Sequence, residues 1–168
     1  MTDGPQRRLP ADSDIDLHEP GQRAELRAHP WLVLSVISAG GSLGASARYL
    51  LGVAVPTPAS GFPWTTLAIN VGGCLLIGAL MVLVTHVWVR RRLVRPFLGV
   101  GVLGGFTTFS TYIVEIQRLL DVGAAGRALA YLAGTLGAAI VATWVGLVVT
   151  RAVLRLALRR GAAFPVGR

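Results

Sequence analysis

The sequence is organised around residues 99–115, GVGVLGGFTTFSTYIVE, which interrupt an otherwise apolar run. The middle of this stretch holds two adjacent glycines, Gly104 and Gly105, and then four hydroxylic residues within five positions. Glycine weakens a helix, and short hydroxylic side chains hydrogen-bond the backbone locally, so we predict a kink or a brief unwinding near residues 104–107. Non-helical backbone at membrane depth is tolerated only where it is buried in protein or lines a wet cavity. The stretch therefore indicates a path for ions or water.

The remainder of the chain has the composition of a multi-pass membrane protein. Of its 168 residues, 53% are hydrophobic and 14% charged, which is more apolar than an ordinary soluble domain. Four runs without acidic residues approach or exceed the roughly 20 residues needed to cross a hydrocarbon core. These runs are Trp31–Leu51, Trp64–Val89, Phe97–Val114 and Ala128–Thr150. We predict an all-α protein of the cell (plasma) membrane with four transmembrane helices, of which the third is broken.

The chain divides into three segments by composition. Residues 1–30 are rich in Asp, Arg, Pro and Gly and have too little apolar surface to offset the entropy of ordering, so we expect a disordered cytoplasmic tail. Residues 31–150 form the four-span domain. Residues 151–168 form a basic C-terminal tail that begins as a helical extension of the fourth span.

The arginines predict contact with membrane lipid and an orientation in the membrane. The chain carries sixteen arginines and a net charge of +8, and most arginines flank the apolar runs, which disfavours a nucleic-acid partner. If the N-terminus is cytoplasmic, thirteen arginines lie inside and only Arg118 and Arg127 lie outside. Positive charge favours the cytoplasmic side, so we predict that both termini are mainly cytoplasmic.

Several classes of site are excluded by what the sequence lacks. Cys74 is the single cysteine, so neither a disulfide framework nor a thiolate metal site is available. Gly99, Gly101 and Gly104 match a dinucleotide-binding pattern, but no strand precedes them and they fall inside a membrane-length run. We find no hydrolase or metalloprotease motif and do not expect an enzyme.

Two polar residues fall inside the first two predicted spans. Asn70 is more often a hydrogen bond between helices than a ligand, although its amide can also donate to an anion. Arg48 is costly in an apolar helix unless it reaches the interface or is paired. It is therefore either an interfacial residue or a residue with a structural or anion-attracting role.

The hydroxylic segment offers groups for both signs of charge. Phe109 and Tyr112 are three residues apart, and aromatic ring edges can contact a small anion, although stacked aromatics are more often core. Thr108 and Thr111 share the same spacing and can supply donors. Backbone carbonyls freed near residues 104–107 can instead coordinate a hard cation.

The residues alone do not decide the role of two features in the later part of the chain. On the fourth run, Tyr131 and Thr135 share one helix face and are compatible with ordinary packing. At the end of the third run, Glu115 lies three residues before Arg118, so a surface ion pair is its simplest interpretation.

Three sequence blocks together resemble the CrcB/Fluc family of fluoride ion channels. The blocks are GGSLGASARY at residues 40–49, TLAINVGGCLLIG at residues 66–78 and GVLGGFTTFSTYIVE at residues 101–115. They occur in the family's order and on the expected three of four spans, and the resemblance covers residues 31–150. The third block is the most specific.

The resemblance implies an antiparallel dimer with two fluoride pores and a central structural sodium ion that is not transported. By position, the carbonyls of Gly104 and Thr107 would hold sodium. Arg48 corresponds to the arginine of the family's first block and would have a structural or anion-attracting role. One departure is Tyr112, which replaces the second of two pore phenylalanines. The implied pore residues are Asn70, Thr108, Phe109, Ser110, Thr111, Tyr112, Tyr131 and Thr135.

The implied function is passive, fluoride-specific export that lowers the cytoplasmic concentration and toxicity of fluoride. An antiparallel homodimer needs dual topology, which the arginine bias resists, so we expect pairing with an oppositely oriented relative. One alternative is a proton-coupled exporter of a small ion or drug, for which Glu115 is the single candidate carboxylate. The other is a membrane scaffold that transports nothing.

Overall fold

The computed structural model describes residues 30–58, 61–89 and 91–159. The predicted tail of residues 1–30 lies outside this range except for Pro30, as do residues 160–168. Four helical segments are long and apolar enough to span a membrane, which confirms the predicted spans. They are Pro30–Ala54, Trp64–His86, Arg95–Asp121 and Ala125–Arg159.

The fourth span is longer than the apolar run that predicted it. Its helix begins at Ala125 and continues to Arg159, which adds a basic extension beyond the run ending at Thr150. The added residues are mainly Arg, Leu and Ala, which favour a helix in water as well as in lipid. At about 1.5 Å per residue, this helix exceeds the thickness of a hydrocarbon core by several turns.

The third span is composed of three helical pieces. A π-helix at Arg95–Leu103 is followed by one α-helical turn at Gly104–Phe106, and a regular α-helix occupies Ser110–Asp121. Residues 107–109 lie between the last two pieces, and we call them the 107–109 link.

Glycines let the spans approach at backbone distance in two pairs. In the first pair, a Cβ on Gly101 would lie 2.9 Å from the Ile37 carbonyl oxygen of the first span. In the second pair, a Cβ on Gly146 would collide with the Leu75 carbonyl of the second span. The first span therefore packs on the third, and the second packs on the fourth.

A sharp turn joins the third span to the fourth. Gly123 has φ of 74°, and the Ala124 N–H donates to the Leu119 carbonyl at 2.8 Å. This is the pattern by which glycine ends a helix in a left-handed conformation. Beside the turn, a buried cluster of Tyr112, Ile116, Leu119, Ala128 and Tyr131 fixes the two spans together.

Candidate functional site

The 107–109 link contains the residue at which the backbone of the third span leaves the helical conformation. Thr107 has φ of −74° and ψ of 156°, and helix resumes at Ser110. The Thr108 hydroxyl accepts the Thr111 N–H at 3.2 Å, which caps the new helix. The Thr108 hydroxyl also donates to the Thr111 hydroxyl at 3.1 Å, so both threonines are engaged in restarting the helix.

Asn70 of the second span holds this link by both ends of its amide. Its Oδ1 accepts the Thr108 N–H at 2.8 Å, and its Nδ2 donates to the Thr108 carbonyl at 2.9 Å. Two bonds to one residue fix the orientation of its backbone as well as its position. Asn70 thus acts as the interhelical bridge that its residue type favoured, and one Nδ2 hydrogen remains for another acceptor.

The same contacts release two backbone carbonyls. In a continuous helix the Thr108 N–H would bond the Gly104 carbonyl and the Thr111 N–H would bond the Thr107 carbonyl. These two N–H groups donate instead to Asn70 and to the Thr108 hydroxyl. Gly104 is exposed, whereas Thr107 is partly buried.

Arg48 is anchored to the same region. Its Nε donates to the Gly105 carbonyl at 3.2 Å, and the side chain is half-buried. This contact crosses from the first span to the helical turn before the link. Arg48 therefore has a hydrogen-bond partner within the protein, on the third span.

A cleft of about 270 Å³, which we call the Asn70 cleft, opens beside the link. The second, third and fourth spans all contribute to its wall. None of the described lining residues carries a formal charge: Asn70, Cys74, Ile77, Thr107, Thr108, Phe109, Tyr112, Thr135, Leu136 and Ala139.

Thr135 contributes an unusual group to this wall. Its side chain is 6% exposed, and among the described residues its hydroxyl has no hydrogen-bond partner. A buried hydroxyl without a partner costs about 1–3 kcal/mol. The wall of the cleft therefore contains a buried donor that has no partner among the described residues.

The two aromatic residues of the third span differ in placement. Phe109 is 74% exposed, and its ring centroid lies 5.9 Å from that of the buried Tyr112. The Tyr112 hydroxyl donates to the Leu132 carbonyl at 2.8 Å. That hydroxyl is satisfied by the fourth span, so Tyr112 presents an aromatic ring to the cleft much as a phenylalanine would.

A second cleft of about 340 Å³, the Arg48 cleft, lies on the other side of Thr108, which lines both clefts. Besides Arg48 and Thr108, its polar wall includes Thr66, Thr111, Glu115 and Arg118. Glu115 accepts hydrogen bonds from Thr66 Oγ1 and from the Tyr131 hydroxyl, each at 2.8 Å. Both carboxylate oxygens thus have hydroxyl partners within the protein, in place of the surface ion pair that sequence favoured.

Most of the predicted pore residues line one of the two clefts, with two exceptions. Tyr131 is 0% exposed and lines neither cleft, since its ring packs behind Tyr112 at 5.1 Å and its hydroxyl serves Glu115. Ser110 is exposed, and its Oγ lies 3.4 Å from that of Thr108. Sequence reasoning missed Thr66, although its position four residues before Asn70 places it on the same helix face.

These observations define a class of protein: a multi-pass helical membrane protein with a donor-bearing cleft beside a non-helical link in one span. Among the described residues, the lining of this cleft carries no charge. Comparison with known sequences gives the family. The sequence model described as CrcB-like protein, Camphor Resistance (CrcB), matches residues 35–147. The chain belongs to the CrcB-like family, as its three sequence blocks indicated.

Relatives with curated names agree. The chain is 58% identical over 104 residues to Fluoride-specific ion channel FluC 2 of Streptomyces avermitilis, covering 62% of this chain and 66% of that protein. It is 57% identical over 114 residues to FluC 2 of Nocardia farcinica, covering 68% and 81%. It is 51% identical over 123 residues to FluC 1 of Streptomyces coelicolor, covering 73% and 80%.

Proposed function

We propose that this chain forms a fluoride-specific channel through which fluoride leaves the cell passively. One observation carries the proposal beyond family membership. The Asn70 cleft holds the unpartnered Thr135 hydroxyl in a wall without formal charge. A hydroxyl donor without a competing fixed charge suits an anion that must bind and then depart.

Fluoride is small and strongly hydrated, so a path must replace its water with several donors. The remaining Asn70 N–H, the Thr135 hydroxyl and the edge of the Phe109 ring are groups of this kind. An inside-negative potential drives a single negative charge outward by about 2.3 kcal/mol per 100 mV, so passive export needs no other energy source.

The subunit surface supports assembly as an antiparallel dimer. Phe109 lines the Asn70 cleft and is 74% exposed, and Gly104 on the same span is also exposed. A second copy packed there would cover the aromatic ring and close the cleft on the side that this subunit leaves open. Each subunit would then complete the wall of its partner's pore.

The dimer centre is our proposed place for a structural sodium ion. The Gly104 and Thr107 carbonyls lose their helical partners at the link, and carbonyl oxygens are ligands that a hard cation accepts. Two subunits would supply two such pairs. Bound there, sodium would be coordinated by these oxygens and would hold the subunits together, and it would not be transported.

The partner in this dimer is proposed to be an oppositely oriented relative. With four spans, the start of the first span, the connection between the second and third, and the end of the fourth lie on one side of the membrane. That side carries Arg91, Arg92 and Arg95 and also Arg151, Arg155 and Arg159. Positive charge on this scale favours the cytoplasmic side and therefore one orientation.

Fluoride efflux from liposomes tests the proposal. The full chain is reconstituted alone and then with an oppositely oriented relative, and efflux is followed with a fluoride electrode under a potassium diffusion potential. We expect flux that follows the electrical gradient, prefers fluoride to chloride and is not driven uphill by a pH gradient. Proton-driven uphill movement would support an exporter instead, and absence of flux in both preparations would refute the channel.

A further inference from the structure

Cys74 lies in the wall of the Asn70 cleft, where the proposed channel function gives it no role. It is the single cysteine of the chain and lies one helical turn after Asn70 on the second span. Its side chain is partly exposed and unpaired, and it lines the cleft together with Ile77. Residues four apart lie on one helix face, so the thiol and the Asn70 amide are neighbours along the wall.

Thr135 is an independent sign that the cleft receives a ligand at this level. It approaches from the fourth span, is 6% exposed and has an unpartnered hydroxyl, while Cys74 approaches from the second span. A polar group left unsatisfied at such depth is compatible with folding when water or an ion reaches it. Thr135 and Cys74 therefore line the same cleft from two different spans.

We propose that Cys74 is a modification site inside the ion path, at which small thiol-reactive electrophiles enter the cleft and block fluoride passage. This inference rests on the proposed channel function. Three further residues on the cleft wall are apolar, namely Ile77, Leu136 and Ala139. A group attached to Cys74 therefore narrows the cleft and also adds apolar surface where fluoride needs donors.

Methyl methanethiosulfonate is a suitable probe because it is small and neutral. The Cys74 thiolate attacks the sulfenyl sulfur, a new S–S bond forms to the thiomethyl group, and the S–S bond of the reagent breaks. Methanesulfinate leaves with the bonding electron pair, and the thiol proton passes to water. An added thiol reductant cleaves the mixed disulfide and regenerates Cys74.

The test compares fluoride efflux before and after the reagent, in whichever reconstituted assembly conducts fluoride. We expect efflux to fall at least about tenfold, the effect of about 1.4 kcal/mol of added barrier, and to recover on reduction. Mass spectrometry of the same vesicles should show one thiomethyl group on Cys74. Each variant serves as its own reference, so that only the response to the reagent is compared.

Three variants separate blockade from other effects. Cys74→Ser should make efflux insensitive to the reagent. In the Cys74→Ser background, Ile77→Cys restores a thiol to the cleft wall and should restore sensitivity. Leu76→Cys in that background places a thiol on a 50% exposed position outside the cleft, where modification should leave efflux unaltered.

The outcomes distinguish this inference from the channel proposal. Efflux that persists while Cys74 is fully modified overturns the modification site and leaves the channel intact. Efflux with no modification of Cys74 shows that the thiol is out of reach, which also overturns it. If no preparation conducts fluoride, the channel proposal fails. Labelling of Cys74 by the reagent then still reports whether the cleft is open, and Cys74→Ser, which has no thiol, is the control for that labelling.

Discussion

Thr135 shows how a single residue can weaken the fold while serving the site. Its hydroxyl is buried and, within the described residues, has no partner, so the folded state bears an unmade hydrogen bond. The sequence placed Thr135 on the face shared with Tyr131 but could not show that its hydroxyl lacks a partner. Whether a buried hydroxyl finds a hydrogen-bond partner depends on how three spans pack around it.

We therefore predict that Thr135→Val stabilises the protein while it impairs transport. Valine keeps the shape and removes the unsatisfied group, so the free energy of unfolding should rise by about 1–3 kcal/mol. Fluoride efflux should fall, because a donor to the anion is lost. Thr135→Ser keeps the hydroxyl and should keep most of the flux. Loss of stability together with normal flux in the valine variant would contradict this role.

Asn70 was expected from its residue type to bridge helices or to meet an anion. Its partner could not be foreseen, since Thr108 lies 38 residues away and is reached only when the second and third spans adopt their final register. The structure shows that the amide determines the conformation of the link itself.

Asn70→Ala should accordingly affect both stability and transport. It leaves the Thr108 N–H and carbonyl without partners, so we expect a loss of about 1–3 kcal/mol in the free energy of unfolding and a large fall in fluoride efflux. Denaturant unfolding in detergent and liposome efflux measure the two effects. Leu76→Ala, at a 50% exposed position on the same helix, is the control and should change neither the free energy of unfolding nor the fluoride efflux. Normal flux with Ala at position 70 would remove Asn70 from the site.

At the scale of the element, the adjacent glycines were the signal for an irregular third span, yet both lie in a helical turn. Gly105 is required because a Cβ there would collide with the Gly41 carbonyl and lie 3.1 Å from the Ala45 nitrogen. The extended residue is Thr107, two positions later. From sequence alone, a glycine that permits close packing cannot be told from one that permits an unusual backbone.

This distinction predicts opposite effects for two glycine substitutions. Gly105→Ala should force the first and third spans apart and lower the free energy of unfolding by about 1–3 kcal/mol. Gly126→Ala is the matched control. Apart from its chain neighbours and the backbone of its own helix, no atom of the described residues lies within 4 Å of its Cβ position. Alanine also favours the helix, so stability should be kept or increased. Thermal unfolding followed by circular dichroism compares them. Equal melting temperatures would show that the first and third spans do not pack at Gly105.

At the scale of the whole molecule, the four spans could be predicted because length and hydropathy are local properties. The pairing of spans could not, since it depends on which glycine faces which backbone. The proposed second subunit would cover the exposed Phe109 and lie near the exposed Gly104.

The proposed sodium ion, shared by two proposed subunits, predicts that the assembly responds to the cation of the buffer. Replacing sodium with N-methyl-D-glucamine should lower the melting temperature and shift the protein towards monomer on dilution. Saturation at about 100 times the dissociation constant contributes about 2.7 kcal/mol, which sets the expected scale. Light scattering after size-exclusion chromatography measures the mass. An assembly indifferent to sodium would argue against this site.

The distribution of arginine predicts one orientation for this chain. The basic extension that ends at Arg159 and the loop that carries Arg91 and Arg92 lie on the same side, while Arg118 and Arg127 lie on the other. Reporters fused to the C-terminus, one active only in the cytoplasm and one only outside it, should therefore give a strong cytoplasmic signal and little external signal. Replacing Arg91 and Arg92 with neutral residues should weaken the bias and raise the external signal. If the unaltered chain already gives comparable signals on both sides, it inserts in both orientations, and a homodimer needs no oppositely oriented relative.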